Sequence, residues 1–189
     1  MKKIQTTLCM ATIKLSKYEI GFTDQFFFDT NVWLLLYGTV ASFQANDQLQ
    51  YTKLLEKLIT RDLPIYITSM VISEFANVLL RRDFNQWISN NNFVNKDFKR
   101  DFVGTKDYEN SVETISISIN KIFKLPNLVS VGDNFNAIDK NQILQNFKIV
   151  DFNDAYYTQL AELNKYKIVT NDKDFQKLDS KIDILTTQI

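Results

Sequence analysis

An α/β sandwich built on a mostly parallel sheet of about five strands is the fold this sequence predicts, and three observations predict it. Five short apolar runs alternate with longer segments of helical periodicity. The first run, FFF at 26–28, lacks the in–out alternation of a half-exposed strand, so it suits a strand covered on both faces, as parallel strands are. Finally, 189 residues, 45% hydrophobic and 13% aromatic with only four Gly and two Pro, suffice for one compact domain and are too few for two comfortable ones.

The elements follow in order. After the strand at 26–28, ending at Asp29, residues 31–37 and 47–60 read as helices, the second with Leu54, Leu55 and Leu58 at helical spacing and closed by Asp62, Leu63 and Pro64. A second strand, IYIT at 65–68, precedes a helix that Ser69 is expected to cap, with Val71, Ile72, Phe75, Val78 and Leu79 on its apolar face. Glu74, Asn77 and Arg81 fall on a neighbouring, more polar face. Residues 83–125 read as a helical elaboration between core segments 24–82 and 126–187 of a single domain. Within it, 108–123 fits a helix better than a strand on length. A strand at 128–131 and a short amphipathic helix with Ile138, Ile143, Leu144 and Phe147 come next. Asp151 or Asn153 caps a helix whose stripe is Tyr156, Leu160 and Leu163, with Asp154 and Thr158 opposite. KIVT at 167–170 leads into Asp172 and Asp174, and a fifth strand is expected at 182–185.

Composition narrows the chemistry. No histidine and one cysteine, Cys9, rule out the usual zinc ligand sets, an internal disulfide and His-dependent nucleophilic triads. A metal here must be held by oxygen, which selects hard cations. Lys plus Arg (22) equals Asp plus Glu (22), so any attraction to nucleic acid has to be local. The stretch after Met1 is too short and too broken by Gln5, Thr6 and Thr7 for a secretory leader, and no run approaches the roughly 20 apolar residues of a membrane span, so a cytoplasmic protein is expected.

In a parallel sheet, ligands bind beyond the carboxyl ends of the strands. Asp29 and Asp172 each follow an apolar strand and so belong at that edge. Glu74, early in the helix after the second strand, and Asp154, at the start of the helix before the fourth, approach it in a right-handed fold. Four carboxylates held together oppose one another's ionisation unless a cation joins them. A divalent cation also suits phosphodiester hydrolysis, since it activates water and neutralises the leaving oxygen.

Three segments in order, FFFDTNVW (26–33), TSMVISEFANVLLR (68–81) and NDAYYTQLAELNKYKIVTNDKDF (153–175), resemble the PIN domain, and in particular VapC-type toxin ribonucleases. The resemblance implies a three-layer α/β/α sandwich and a Mg²⁺-dependent endoribonuclease in which Mn²⁺ substitutes. It implies Asp29, Glu74, Asp154 and Asp172 as the catalytic, metal-binding acids and Asp174 as an auxiliary ligand. Asn31 and Thr170 would order the site through hydrogen bonds. It further implies an RNA substrate, a small antitoxin as protein partner, and a homodimer. Residues 1–23 and 83–125 depart from the minimal family pattern.

Plainer readings stand beside these. Asp29 suits a turn, Glu74 a solvated helix, Asp154 the first-turn position favoured by the helix dipole, and Arg81 and Arg82 a solvated helix end. Arg81 also lies two turns beyond Glu74 on nearly the same face, within reach of a phosphate near the metal. Lys96, Lys99 and Arg100, interleaved with Phe93, Phe98 and Phe102, suit either a base-stacking surface or, by preference, packing. Two alternatives remain: a DNA or structure-specific nuclease, and an inactive scaffold that binds RNA or protein. A haloacid-dehalogenase-type phosphatase is disfavoured by Asn31 where a second acid would stand. DNFNAIDKNQIL at 133–144 lacks the glycine and ligand spacing of an EF-hand.

Overall fold

The computed structural model describes residues 11–38 and 45–189. Residues 1–10, with Cys9 and most of the leader-like stretch, lie outside the described residues. The sheet is formed by β1 (Thr12–Lys14), β2 (Phe26–Phe28), β3 (Ile65–Ile67), β4 (Leu128–Ser130), β5 (Lys167–Val169) and β6 (Ile184–Thr186). Their spatial order is β1-β6-β5-β2-β3-β4, and every pairing is parallel. The five expected strands are present. The sixth, β1, arises in the segment read as preceding the first strand, and it pairs with β6 at the sheet edge.

Position in the sheet explains the strand sequences. The three phenylalanines of β2 are completely buried, as are Ile65, Ile168, Val169 and Leu185, because helices cover both faces. The edge strands β1 and β4 stay partly exposed and carry Lys14 and Ser130.

The helices are α1 (Thr30–Tyr37), α2 (Ala45–Thr60), α3 (Ser69–Asn90), α4 (Lys106–Phe123), α5 (Lys140–Asn146) and α6 (Phe152–Asn164). α1 to α4 pack on one another, and α5 packs on α6. Right-handed crossovers account for the division: the chain steps outward from β2 to β3 to β4 with helices on one face, then returns to β5 with α5 and α6 on the other. The result is the α/β/α sandwich, and the direction of travel changes between β2 and β5.

Helix ends show local chemistry. α2 stops with Asp62 at φ 52, where Leu63 N–H donates to the Leu58 carbonyl at 3.0 Å. Asp151, rather than Asn153, caps α6, its Oδ1 accepting from Asp154 N–H at 2.9 Å. Ser69 is not the cap of α3. Thr68 occupies that position, and its hydroxyl makes no capping bond.

Three apolar faces also differ from expectation. Val78, Leu144, Phe147 and Leu163 are exposed, so the stripes of α3, α5 and α6 are narrower than their sequences suggest. Conversely, every residue from 154 to 161 is buried: α6 lies between the sheet and α5, and Asp154 and Thr158 face protein rather than water.

The elaboration has its own packing. α3 runs on to Asn90, and a π turn (Phe98–Phe102) leads to α4. Phe84, Trp87, Phe93, Phe98, Phe102 and Tyr108 form linked aromatic contacts with centroids 4.7–6.1 Å apart. The aromatics of this segment pack, as preferred above, while Lys96 and Arg100 pair with Asp101. Among the described residues no helix is long and apolar enough to cross a membrane.

Candidate active site

Two strand ends and two helix starts meet at the carboxyl edge of the sheet, where the chain changes direction. β2 and β5 run in register from Phe26 and Lys167 to Phe28 and Val169, so Asp29 and Thr170 are the next neighbouring positions. Asp29 N–H continues the ladder to the Val169 carbonyl at 3.0 Å. Asp29 is also the backbone N-cap of α1, but its side chain makes no cap bond. Its Oδ2 instead accepts from the Thr170 hydroxyl at 2.8 Å. The same hydroxyl accepts from Asp172 N–H at 2.9 Å, so one oxygen ties both acids together. Asn31 Nδ2 donates to Asp172 Oδ2 at 3.3 Å, and Asp172 Oδ1 accepts from Asp174 N–H at 2.9 Å.

Glu74, one turn into α3, is half-buried. Its Oε2 accepts from the Thr30 hydroxyl at 2.8 Å and from the Tyr157 phenol at 3.1 Å. Burial, reinforced by the Glu74 charge, pushes the Tyr157 phenol up, so it remains a donor. Thr30 and Tyr157 carry no role in the sequence reading. Tyr157 follows Tyr156 of the expected stripe, and only the burial of α6 on several sides turns it toward Glu74. Tyr51 of α2 is a third such residue. Its hydroxyl donates to the Thr170 carbonyl at 2.6 Å and accepts from Thr187 N–H at 3.2 Å, which fixes the strand end that presents Asp172.

The electrostatics of the buried acids follow from their surroundings. Asp29, 2% exposed, is pushed up to about 7. Burial is the main cause; the Thr170 hydroxyl opposes it, while the charges of Glu74 and Asp172 add to it. Asp154, 6% exposed, is pushed up to about 9 by burial first, then by Asp29, Asp151, Asp172 and Glu74. Asp154 thus lies within the electrostatic reach of the other three predicted acids, and Asp29 within that of Glu74 and Asp172. Asp174 is placed differently: its Oδ1 takes a salt bridge from Lys177 at 2.6 Å.

Glu74 lines a groove of about 970 Å³ that follows α3 through Asn77 and Arg81 to Asn85. Asp172 and Asn31 line a recess of about 490 Å³ with Lys173 and Gln188. Asp29 and Asp154 are buried.

A hard divalent cation fits this donor set. The groups are carboxylate, amide and hydroxyl oxygens, and among the described residues no Lys or Arg forms a salt bridge with any of the four acids. Nor, among those residues, do any three carboxylates form a ready-made ligand cage. An ion such as Mg²⁺, which binds through one or two carboxylates and keeps several waters, does not require one.

A family model described as PIN domain matches residues 26–181. Among solved structures, the chain is similar to VapBC2 from Rickettsia felis, bound to a DNA fragment from their promoter. The TM-score is 0.49 and the identity 17%, over 85% of this chain and 96% of that one. It is also similar to PAE2754 from Pyrobaculum aerophilum, with a TM-score of 0.45 and 14% identity over 94% of this chain and 93% of that one. No curated protein matches the chain.

Proposed function

The chain belongs to the PIN domain family, a family of nucleases, and from that premise we propose that it is a cytoplasmic, single-domain endoribonuclease dependent on Mg²⁺, with Mn²⁺ as substitute. The observation that carries this reading is the single Thr170 hydroxyl that ties Asp29 to Asp172 at the carboxyl edge between β2 and β5, with the buried Asp154 within the field of both and of Glu74.

Asp29, Glu74, Asp154 and Asp172 are the acids that would hold the ion, some directly and the others through its waters. When bound, the cation supplies charge neutralisation at the scissile phosphate and acidifies the attacking water. The remaining work falls to the chain's own residues. Thr170 fixes Asp29 and the backbone of Asp172, Asn31 turns the Asp172 carboxylate, and Thr30 and Tyr157 hold Glu74. Burial pushes the Asp154 carboxyl up to about 9, so it would have to give up a proton to serve as a ligand. Asp174, engaged by Lys177, is an auxiliary ligand only if that salt bridge opens. The sequence resemblance to VapC-type toxins supports RNA as the substrate, a small antitoxin as partner and a homodimer as the assembly.

The test is cleavage of end-labelled single-stranded RNA, single-stranded DNA of the same sequence, and duplex DNA, in Mg²⁺, Mn²⁺ or EDTA. The proposal predicts internal cuts in RNA with either metal and none in EDTA. Cuts in DNA alone would make the chain a DNA nuclease. Binding of RNA without cuts under any condition would make it a scaffold.

A further inference from the structure

Arg81 and Arg82 stand side by side on α3, in the groove that Glu74 also lines, yet their surroundings differ. Arg82 is neutralised by Asp83, which takes its Nε at 2.9 Å and its Nη2 at 2.7 Å. Among the described residues Arg81 has no carboxylate partner. Its guanidinium instead lies 4.2 Å from the centroid of the Phe98 ring. The contact with the ring spends none of the guanidinium's five N–H donors on a carboxylate, so donors remain for an anion.

The ring is itself fixed. Phe84 meets Phe98 edge-on, with centroids 5.4 Å apart and planes at 89°, and the fully buried Phe102 lies at 5.8 Å. The turn that carries Phe98 is clamped from both ends: Asp97 accepts from Arg100 N–H at 2.9 Å, and Asp101 accepts from Asp97 N–H at 2.7 Å. Phe98 thus presents a rigid platform from the elaboration to a side chain of the core.

We infer that Phe98 is a positioning residue that holds Arg81 in the Glu74 groove, where Arg81 grips a backbone phosphate of a single-stranded RNA a few nucleotides from the cut. This rests on the nuclease reading above. Seven residues of helix separate Arg81 from Glu74, about 10 Å along the axis, or roughly three stacked nucleotides at 3.4 Å each. Asn77 and Asn85 flank Arg81 with uncharged donors of the kind that contact phosphate and sugar. In a chain with equal numbers of acidic and basic side chains, an uncompensated arginine in this groove is a local source of affinity.

The test uses the full chain and a fluorescein-labelled random-sequence 20-mer RNA, with binding read by anisotropy in EDTA and KM and kcat read in Mn²⁺. Arg81→Ala is expected to weaken binding and raise KM about tenfold, with kcat little changed. It should also make the slope of log affinity against log salt shallower by about 0.7, the value for one phosphate on a single strand. Phe98→Leu is expected to raise KM about threefold, Phe98→Tyr to behave as wild type, and Arg81→Ala/Phe98→Leu to match Arg81→Ala alone. Thermal melts identify any variant that fails to fold, and Arg81→Ala removes no core contact. An Arg81→Ala protein with unchanged affinity and salt slope overturns the inference, even if it loses affinity for an acidic peptide. So does additivity of the two substitutions. Arg81-dependent binding of RNA by a protein that never cuts it overturns the nuclease reading and the placement relative to a cut, while the Phe98-held contact of Arg81 with an RNA phosphate stands.

Discussion

Asp29→Asn is expected to lower the rate of RNA cleavage on the order of 10³-fold, and Asp172→Asn comparably. Charge stabilisation by an active-site cation amounts to several kcal/mol, and each 1.36 kcal/mol is tenfold in rate. Asparagine keeps the shape of Asp29 and an oxygen for the Thr170 hydroxyl, but it removes the charge that holds the cation. Glu113→Gln, on an exposed face of α4, is the control and should cut RNA at the wild-type rate. Single-turnover cleavage of labelled RNA measures both. Undiminished cleavage by either active-site variant would remove the carboxylate mechanism.

The second large effect is on stability. In EDTA, the melting temperature is expected to fall as pH rises from about 4 to about 9, and divalent cation should reverse the fall. Asp29 and Asp154 titrate near 7 and 9 in the folded chain against an ordinary value of 3.8. Between those limits the folded state binds more protons than the unfolded state, so raising pH favours unfolding. The stability contributed by the protonated acids is fully present below 3.8 and is lost as pH passes through about 7 and then about 9. Asp101, held down at about 2 by its bonds to Arg100, acts in the opposite sense only at more acidic pH. Because the cation binds the ionised acids, its stabilisation grows with pH. At a hundred times the dissociation constant it adds about 2.7 kcal/mol, which in a chain of this size is roughly 5–10 °C. Melts at pH 5 and pH 9, with and without Mg²⁺, measure this linkage. An equal Mg²⁺ shift at both values would contradict it.

These expectations draw on residues that were unequally legible in the sequence. The fold class followed from FFF at 26–28 and the alternation around it, because parallel strands buried on both faces need unbroken apolar runs. Asp29 and Asp172 were visible as the residues just beyond two such runs. β1 was not visible: three residues, TIK, at a half-exposed edge carry no apolar pattern, and only the register with β6 defines them as a strand. The burial of Asp154 was hidden for a related reason. The apolar stripe of α6 marks one packed face, whereas the helix lies between the sheet and α5 and is covered on several. That tertiary position places Tyr157 against Glu74 and drives the Asp154 carboxyl upward. The elaboration showed no sustained period because residues 84–108 pack on one another as an aromatic cluster, apart from the sheet. The contact of Arg81 with Phe98 spans seventeen positions, beyond any periodic pattern.

Asp29, Glu74, Asp154 and Asp172 are proposed to share one divalent cation. Anomalous diffraction from crystals grown with Mn²⁺ tests this most directly. The expected result is an anomalous peak at the carboxyl edge between β2 and β5, in contact with Asp29 and at least one of the other three carboxylates, and absent in Asp29→Asn. Mn²⁺ bound only elsewhere, or an unchanged peak in Asp29→Asn, would contradict it.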